Sequence, residues 1–167
     1  MTEFKNKFSI VLLLLLVACQ PQPKTEKSSD VKNFEFLYNQ GQKYWGQRHE
    51  EKQARTAYMF FRRANELQPD NKELLTQLSR TCYFIGHFLE TDQAKADSLF
   101  FQGMHYGETA LFLSEEFNAA YEKAVGDDNI RKINAISVTP PDLVNTLYWW
   151  SANLGRFMAY KPVMERL

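Results

Sequence analysis

Residues 57–69 read "AYMFFRRANELQP". Ala57, Phe61 and Ala64 fall at i, i+4 and i+7, a small-large-small series along one face of a helix. Pro69 then ends that helix, because proline has no amide hydrogen to donate and disfavours helical backbone in the residue before it. Upstream, residues 37–45, "LYNQGQKYW", put Leu37, Gln40, Gly41 and Tyr44 on one face of a preceding helix. Small Gly41, Ala57 and Ala64 let the two helices come close, and Tyr44 and Phe61 fill the space between them. "GQRHEEKQ", residues 46–53, forms the connection.

The arrangement returns immediately downstream. Asp70 followed by Glu73 has the form of a capping box, and Leu75, Leu78, Cys82 and Ile85 line one helix face. Thr91 or Asp92 opens the partner helix, where Ala96, Phe100 and Gly103 repeat the small-large-small spacing. The connection "GHFLET", residues 86–91, is again extended. Both units match the helix pair of a tetratricopeptide repeat, with the same lengthened loop. The expected fold is therefore all-α, a tetratricopeptide-like helical hairpin array wound as a right-handed α-α superhelix, with a generic helix bundle as the alternative.

A third, less regular hairpin follows. Ser114 caps "SEEFNAAYEKAV", with Glu115 and Glu116 favourably placed in its first turn, and Phe117, Ala120, Tyr121 and Ala124 form its apolar face. "GDDN" ends it, and "IRKINAIS" has room for a helical turn or two. Thr139-Pro140-Pro141-Asp142 then introduces the most apolar helix after the leader, residues 142–160. Leu143, Leu147, Trp150, Leu154, Phe157 and Met158 make one stripe of it, and Val144, Tyr148, Ala152 and Gly155 a second. A helix apolar on two sides is expected to be sandwiched between neighbours. Trp149 lies off both stripes beside Asn153 and Arg156, facing solvent, a partner or a cavity. It is either a partly covered surface tryptophan or, with Asn153, Arg156 and the adjacent Tyr148, part of a ligand- or partner-binding surface. Lys161-Pro162 breaks the helix, and Val163, Met164 and Leu167 begin another that stops after little more than a turn. Helical arrays usually close with a polar outer helix, so residues 33–167 are expected to be a helical domain truncated at its C-terminus.

The first residues carry an address. Lys5 and Lys7 precede a purely apolar run from Ile10 to Ala18, too short for the roughly 20 residues that span a bilayer. A positive flank, a short apolar core and a small residue near its end mark an export signal. Leu16-Val17-Ala18-Cys19 looks like a bacterial lipobox, which makes residues 1–18 a lipoprotein signal peptide and Cys19 the lipidated residue. Gln20 in place of an aspartate favours the outer membrane. Residues 19–32, rich in Pro, Ser, Gln and Lys, are expected to be a flexible tether. Cys82 is the only other cysteine, so no internal disulfide forms if Cys19 is lipidated.

The composition limits the chemistry. Twenty basic and twenty acidic residues balance, which argues against nucleic acid as a partner. The three histidines, His49, His87 and His105, have no metal-ligand spacing, and no glycine-rich phosphate loop or nucleophile elbow is present. "GDDN" lacks the alternating ligands of a calcium loop. No cofactor, metal or enzymatic activity is expected.

Four segments in order carry a resemblance: residues 16–19, "YMFFRRANELQPDN" at 58–71, "SEEFNAAYEKA" at 114–124, and "NTLYWWSANLGRF" at 145–157. Together they resemble the T component of tripartite ATP-independent periplasmic (TRAP) transporters. The last segment is the most specific. The resemblance covers nearly the whole chain, and that family continues beyond the position of Leu167. It implies a lipid-anchored periplasmic lipoprotein of helical repeats that forms homo-oligomers, binds a periplasmic solute-binding protein and handles a small apolar or organic-acid ligand. In that setting Arg156 is placed to pair with a ligand carboxylate and Trp149 to pack on its chain. The alternative is an assembly or scaffold lipoprotein of the outer membrane that binds proteins only.

Overall fold

The computed structural model describes residues 26–159 and 161. The described residues form seven α-helices and no strand: α1 (Glu26–Trp45), α2 (Glu51–Leu67), α3 (Lys72–Phe84), α4 (Gln93–Phe112), α5 (Glu115–Lys123), α6 (Asp128–Ser137) and α7 (Val144–Ala159). A π turn, Ile85–Leu89, prolongs α3, and a 3-10 turn, Pro141–Leu143, leads into α7. The chain divides into two units, Met1–Val31 and Lys32–Leu167. The expected signal peptide, the lipidated Cys19 and the final Val163, Met164 and Leu167 lie outside the described residues. Where the expected tether is described, from Glu26, the backbone is helical. Once a helix is nucleated, each added residue gains a backbone hydrogen bond even when its side chain buries nothing.

Four helices begin on a side-chain cap. Asn71, Asp92, Ser114 and Asp127 each accept a hydrogen bond from the amide three residues on, at 3.0, 3.2, 3.4 and 3.0 Å. The cap of α3 is thus Asn71, one residue beyond the Asp70 expected from sequence, because the turn after Leu67 continues through Asp70 before the helix starts. The connection "GHFLET" differs too. Most of it is the π turn, closed by Glu90 N donating to Ile85 O at 2.9 Å. Gly86 makes this possible, since a Cβ there would stand 2.9 Å from the Phe100 ring. The segment "IRKINAIS" lies within a full helix, α6.

The small-large-small faces are core. Ala57, Phe61 and Ala64 on α2 and Ala96 and Phe100 on α4 are all buried, and so is Gly103. The α2 series joins Trp45, Leu74 and Leu78 in one cluster, which binds the first hairpin to α3. The Phe61 ring lies directly against Gly41, where a Cβ would collide with it. Tyr44 stacks on Phe60, ring centroids 5.5 Å apart.

The third layer is not the third hairpin. Helix α7 packs along both α3 and α4, whereas α5 and α6 pack chiefly on each other. That short hairpin covers a second core of Leu111, Phe117, Ala135 and Leu143, at the end of α4 and the start of α7. The expected sandwich around α7 is also corrected. Its second stripe is largely uncovered: Val144 and Tyr148 are 56% and 60% exposed, Ala152 is partly covered, and a Cβ added at Gly155 would meet nothing within 4 Å among the described residues outside its own helix. The line that faces the core is Leu143 of the 3-10 turn followed by Thr146, Trp150 and Asn153 of α7, two of whose members are polar. Thr146 and Asn153 are fully enclosed because α3 offers them hydroxyl and carbonyl partners.

Substituting Gly41 by Ala should lower stability by about 1–3 kcal/mol, the usual cost of overpacking a core, as read by urea denaturation. Adding Phe61→Leu, which removes the obstructing ring edge, should make the double variant lose less than the sum of the two single losses.

Candidate functional site

Helices α1, α3 and α7 border one cleft of about 340 Å³. Helix α1 contributes Tyr38 and Gln42, α3 contributes Lys72, Glu73, Thr76, Gln77 and Arg80, the 3-10 turn contributes Asp142 and Leu143, and the start of α7 contributes Asn145 and Thr146. Gln77 and Arg80, partly exposed, and Thr76, buried like Leu74, Leu78 and Cys82, recur at three- and four-residue steps and share one side of α3. Among the lining side chains only Leu143 is aliphatic. At one end Tyr38 donates to Glu73 Oε1 at 2.7 Å and accepts from Gln42 Nε2 at 2.9 Å. Burial and the Glu73 carboxylate push the Tyr38 phenol up to about 12, so it remains a neutral donor.

At the other end Arg80 borders an aromatic and cationic group that lies outside the cleft lining and includes the buried Trp45. The Arg80 guanidinium lies 5.4 Å from the ring centroid of Trp45 and 5.4 Å from that of Trp149. Arg48 lies 5.0 Å from Trp45 and 5.9 Å from Phe84. Such contacts contribute roughly 0.5–1 kcal/mol each at exposed positions. Neither arginine has a carboxylate within ion-pair distance among the described residues. Burial, aided by the Arg48 charge, pulls the Arg80 pKa down from its ordinary value, though never far enough to discharge a guanidinium.

Two of the residues singled out from sequence meet here. Trp149 is half-buried, donates from Nε1 to Asn145 Oδ1 at 3.0 Å and packs on Tyr83, ring centroids 5.6 Å apart. Tyr148 stands edge-on to it at 4.8 Å and is exposed. Arg156 lies further along α7, where its Nη2 is 2.9 Å from His87 Nε2. With His87 it lines a separate cleft of about 160 Å³. Because arginine only donates, Nε2 accepts, which places the His87 proton on Nδ1. Burial first and then the Arg156 charge lower the His87 pKa.

Asn153 is elsewhere. It is fully buried, and its Nδ2 donates to Ser79 O at 3.0 Å, Ser79 Oγ at 3.2 Å and Trp149 O at 2.8 Å. Its amide rests on Gly103 of α4. It positions the helix that bears Trp149 and does not reach the cleft.

Sequence reasoning missed Trp45, Arg48, Gln42, Gln77 and Arg80. A signal existed for Arg80. Thr76, Gln77, Tyr83 and Phe84 occupy the positions three and four residues to either side, so no acid can pair with it along its own helix. Cys82 is fully buried, and burial pushes its thiol up to about 12, which leaves it protonated. Among the described residues no three His, Cys, Asp or Glu are grouped to hold a metal ion, and no helix is long and apolar enough to cross a membrane. No protein-family model, curated protein or solved structure matches the chain.

Replacing Asn153 by Ala should destabilise the fold by about 1–3 kcal/mol, since it strips buried Ser79 of its partner. Trp149→Ala should cost less, because that ring is only half-covered; paired urea melts compare the two. For His87, the unfolded chain titrates near 6.5 and the folded chain lower. Below pH 6.5 the unfolded state therefore binds more protons. The stabilisation is complete above that pH and drains away as pH falls through the lower folded value. Between pH 7.5 and 5 the thermal midpoint should drop further for the natural protein than for His87→Gln, which keeps an acceptor for Arg156 and does not titrate.

Proposed function

We propose that this chain is a membrane-anchored periplasmic lipoprotein that docks a soluble solute-binding protein for TRAP-type transport. The observation that carries the reading is the surface around Arg80: tryptophan, tyrosine and arginine side chains gathered where three helices meet, with cationic groups awaiting partners. Those three residue types dominate the energetic centres of protein interfaces, and arrays of helical hairpins present surfaces of this kind to partners. The resemblance of residues 16–19, 58–71, 114–124 and 145–157 to the T component supplies the cellular setting. The lipid on Cys19 would hold the helical unit at the membrane, since several acyl chains anchor a protein durably where one binds reversibly.

The second reading, a scaffold lipoprotein that binds proteins only, draws support from the polar lining of the cleft. A small apolar ligand gains little from a cavity in which Leu143 is the one aliphatic side chain. An organic acid would find arginine there, and so would an acidic surface of a protein.

A photo-crosslinking amino acid placed at exposed Tyr148, in full-length protein in native membranes, should trap a solute-binding protein identifiable by mass spectrometry. The same probe at exposed Met59 on α2, outside the cleft lining, should not. Arg48→Gln with Arg80→Gln should lower the Tyr148 yield by about tenfold, the scale of one lost charge-assisted contact. Equal yields at both positions, or a trapped protein unrelated to solute binding, would overturn the transport reading.

A further inference from the structure

The cleft has two kinds of recognition group that fit one sort of occupant. The first is a set of primary amides. Gln42 and Gln77 face each other from α1 and α3, and Asn145 joins them from α7. Each has half of its amide committed: Gln42 Nε2 to Tyr38, Gln77 Nε2 to Thr81 at 3.5 Å, and Asn145 Oδ1 to Trp149. The remaining halves, two carbonyl oxygens and one NH2, make no hydrogen bond among the described residues. A primary amide offers the same donor and acceptor as a peptide unit, so such a set can satisfy extended backbone without reading its side chains. The second group is Arg80, 5.4 Å from the ring centroids of both Trp45 and Trp149, with no acid in ion-pair distance among the described residues.

From these we infer that the cleft binds an extended peptide segment of a partner protein, with an acidic side chain or terminal carboxylate seated on Arg80. This rests on the reading of the surface as a docking site. The two indoles restrict where the guanidinium can lie, and a guanidinium's planar fork of donors can meet a carboxylate in parallel. Arg48 adds a second positive charge over Trp45. At the opposite end Glu73 and Asp142 supply two negative charges against the single positive charge of Lys72, a balance that disfavours an acid there and sets the direction of the segment. Between Glu73 and Arg80, α3 rises about 10 Å at 1.5 Å per residue, the span of about three residues of extended chain. A volume of about 340 Å³ holds a segment of that size and no folded element.

The test uses full-length protein in detergent and an array of octapeptides in matched pairs that differ only by Asp against Asn. The strongest pairs are then measured by fluorescence anisotropy. The expected result is binding at least tenfold tighter for the Asp member, weakened by added salt. Arg80→Gln should abolish that preference. Arg80→Lys, which keeps the charge and loses the planar fork, should retain only part of it, and Gln77→Ala should weaken both members of a pair alike. Thermal melts confirm that each variant is folded. Equal affinity within pairs would overturn the inference, and so would an Asp preference that survives Arg80→Gln. Displacement of the peptide by indole-3-acetate or benzoate at the peptide's own concentration would overturn it in favour of a small-carboxylate site. Cross-linking at Tyr148 that an Asp peptide does not compete with would sink the peptide mode and leave the docking function standing. Loss of both signals would remove the two together.

Discussion

A single buried amide fixes the geometry on which everything else here rests. Asn153 has no exposed surface, gives its two amide hydrogens to Ser79 and to its own helix, and sits on the bare backbone of Gly103. Its Oδ1 is buried without a hydrogen-bond partner, so the hold on α7 comes from the two donated hydrogens, which a turn or slide of α7 against α3 would break at a cost. The Thr76–Thr146 hydroxyl contact at 2.7 Å repeats the device two turns away. Thr76 already donates to Lys72 O, so Thr146 is the donor between them. Two polar clasps and two glycines, Gly103 and Gly107, bring the α7 backbone close. A Cβ on Gly107 would lie 2.8 Å from that of Trp150. Apolar packing alone would tolerate small slides and turns of α7. Directed bonds do not, and that is why Trp149 arrives beside Arg80.

The cationic end of the cleft follows from this placement. Arg80 projects from a helix whose other face is core, so its guanidinium must lie between whatever α1 and α7 present. Both present an indole. The rings shield the cation from water and return part of the lost hydration through their faces, without neutralising it. Some other cations are matched: Arg55 bridges Glu51 and Glu90, and Lys132 pairs with Glu108 and Asp128. The contrast gives the Arg80 region its character.

How far the sequence reveals this depends on which force acts. The hairpin cores were legible because burial of Ala57, Phe61 and Ala64, and of Ala96 and Phe100, leaves a strict spacing that chance seldom produces. Caps were legible to within one residue, as Asp70 against Asn71 shows, since neighbouring polar residues compete for the same amide. The packing of α7 was not legible. Periodicity searches for apolar stripes, and this seam runs through Thr146 and Asn153, so Val144 and Tyr148 looked buried while Asn153 looked functional. Trp149 stands out in the sequence because it sits off the stripes. Its neighbours Arg80, Trp45 and Gln42 come from other helices, and only the tertiary arrangement assembles them.

The π turn at the end of α3 carries an implication for how such a surface can diverge. Its bond from Glu90 to Ile85 encloses one residue more than an α-turn would. Loss of a single residue from this segment could restore ordinary winding without opening a gap in the helix. Every side chain beyond the deletion would then swing round the axis, carrying His87 away from Arg156 while the core residues before it stayed in place. Relatives could thus share the scaffold and differ abruptly in this corner, through one codon's insertion or removal and with no intermediate geometry.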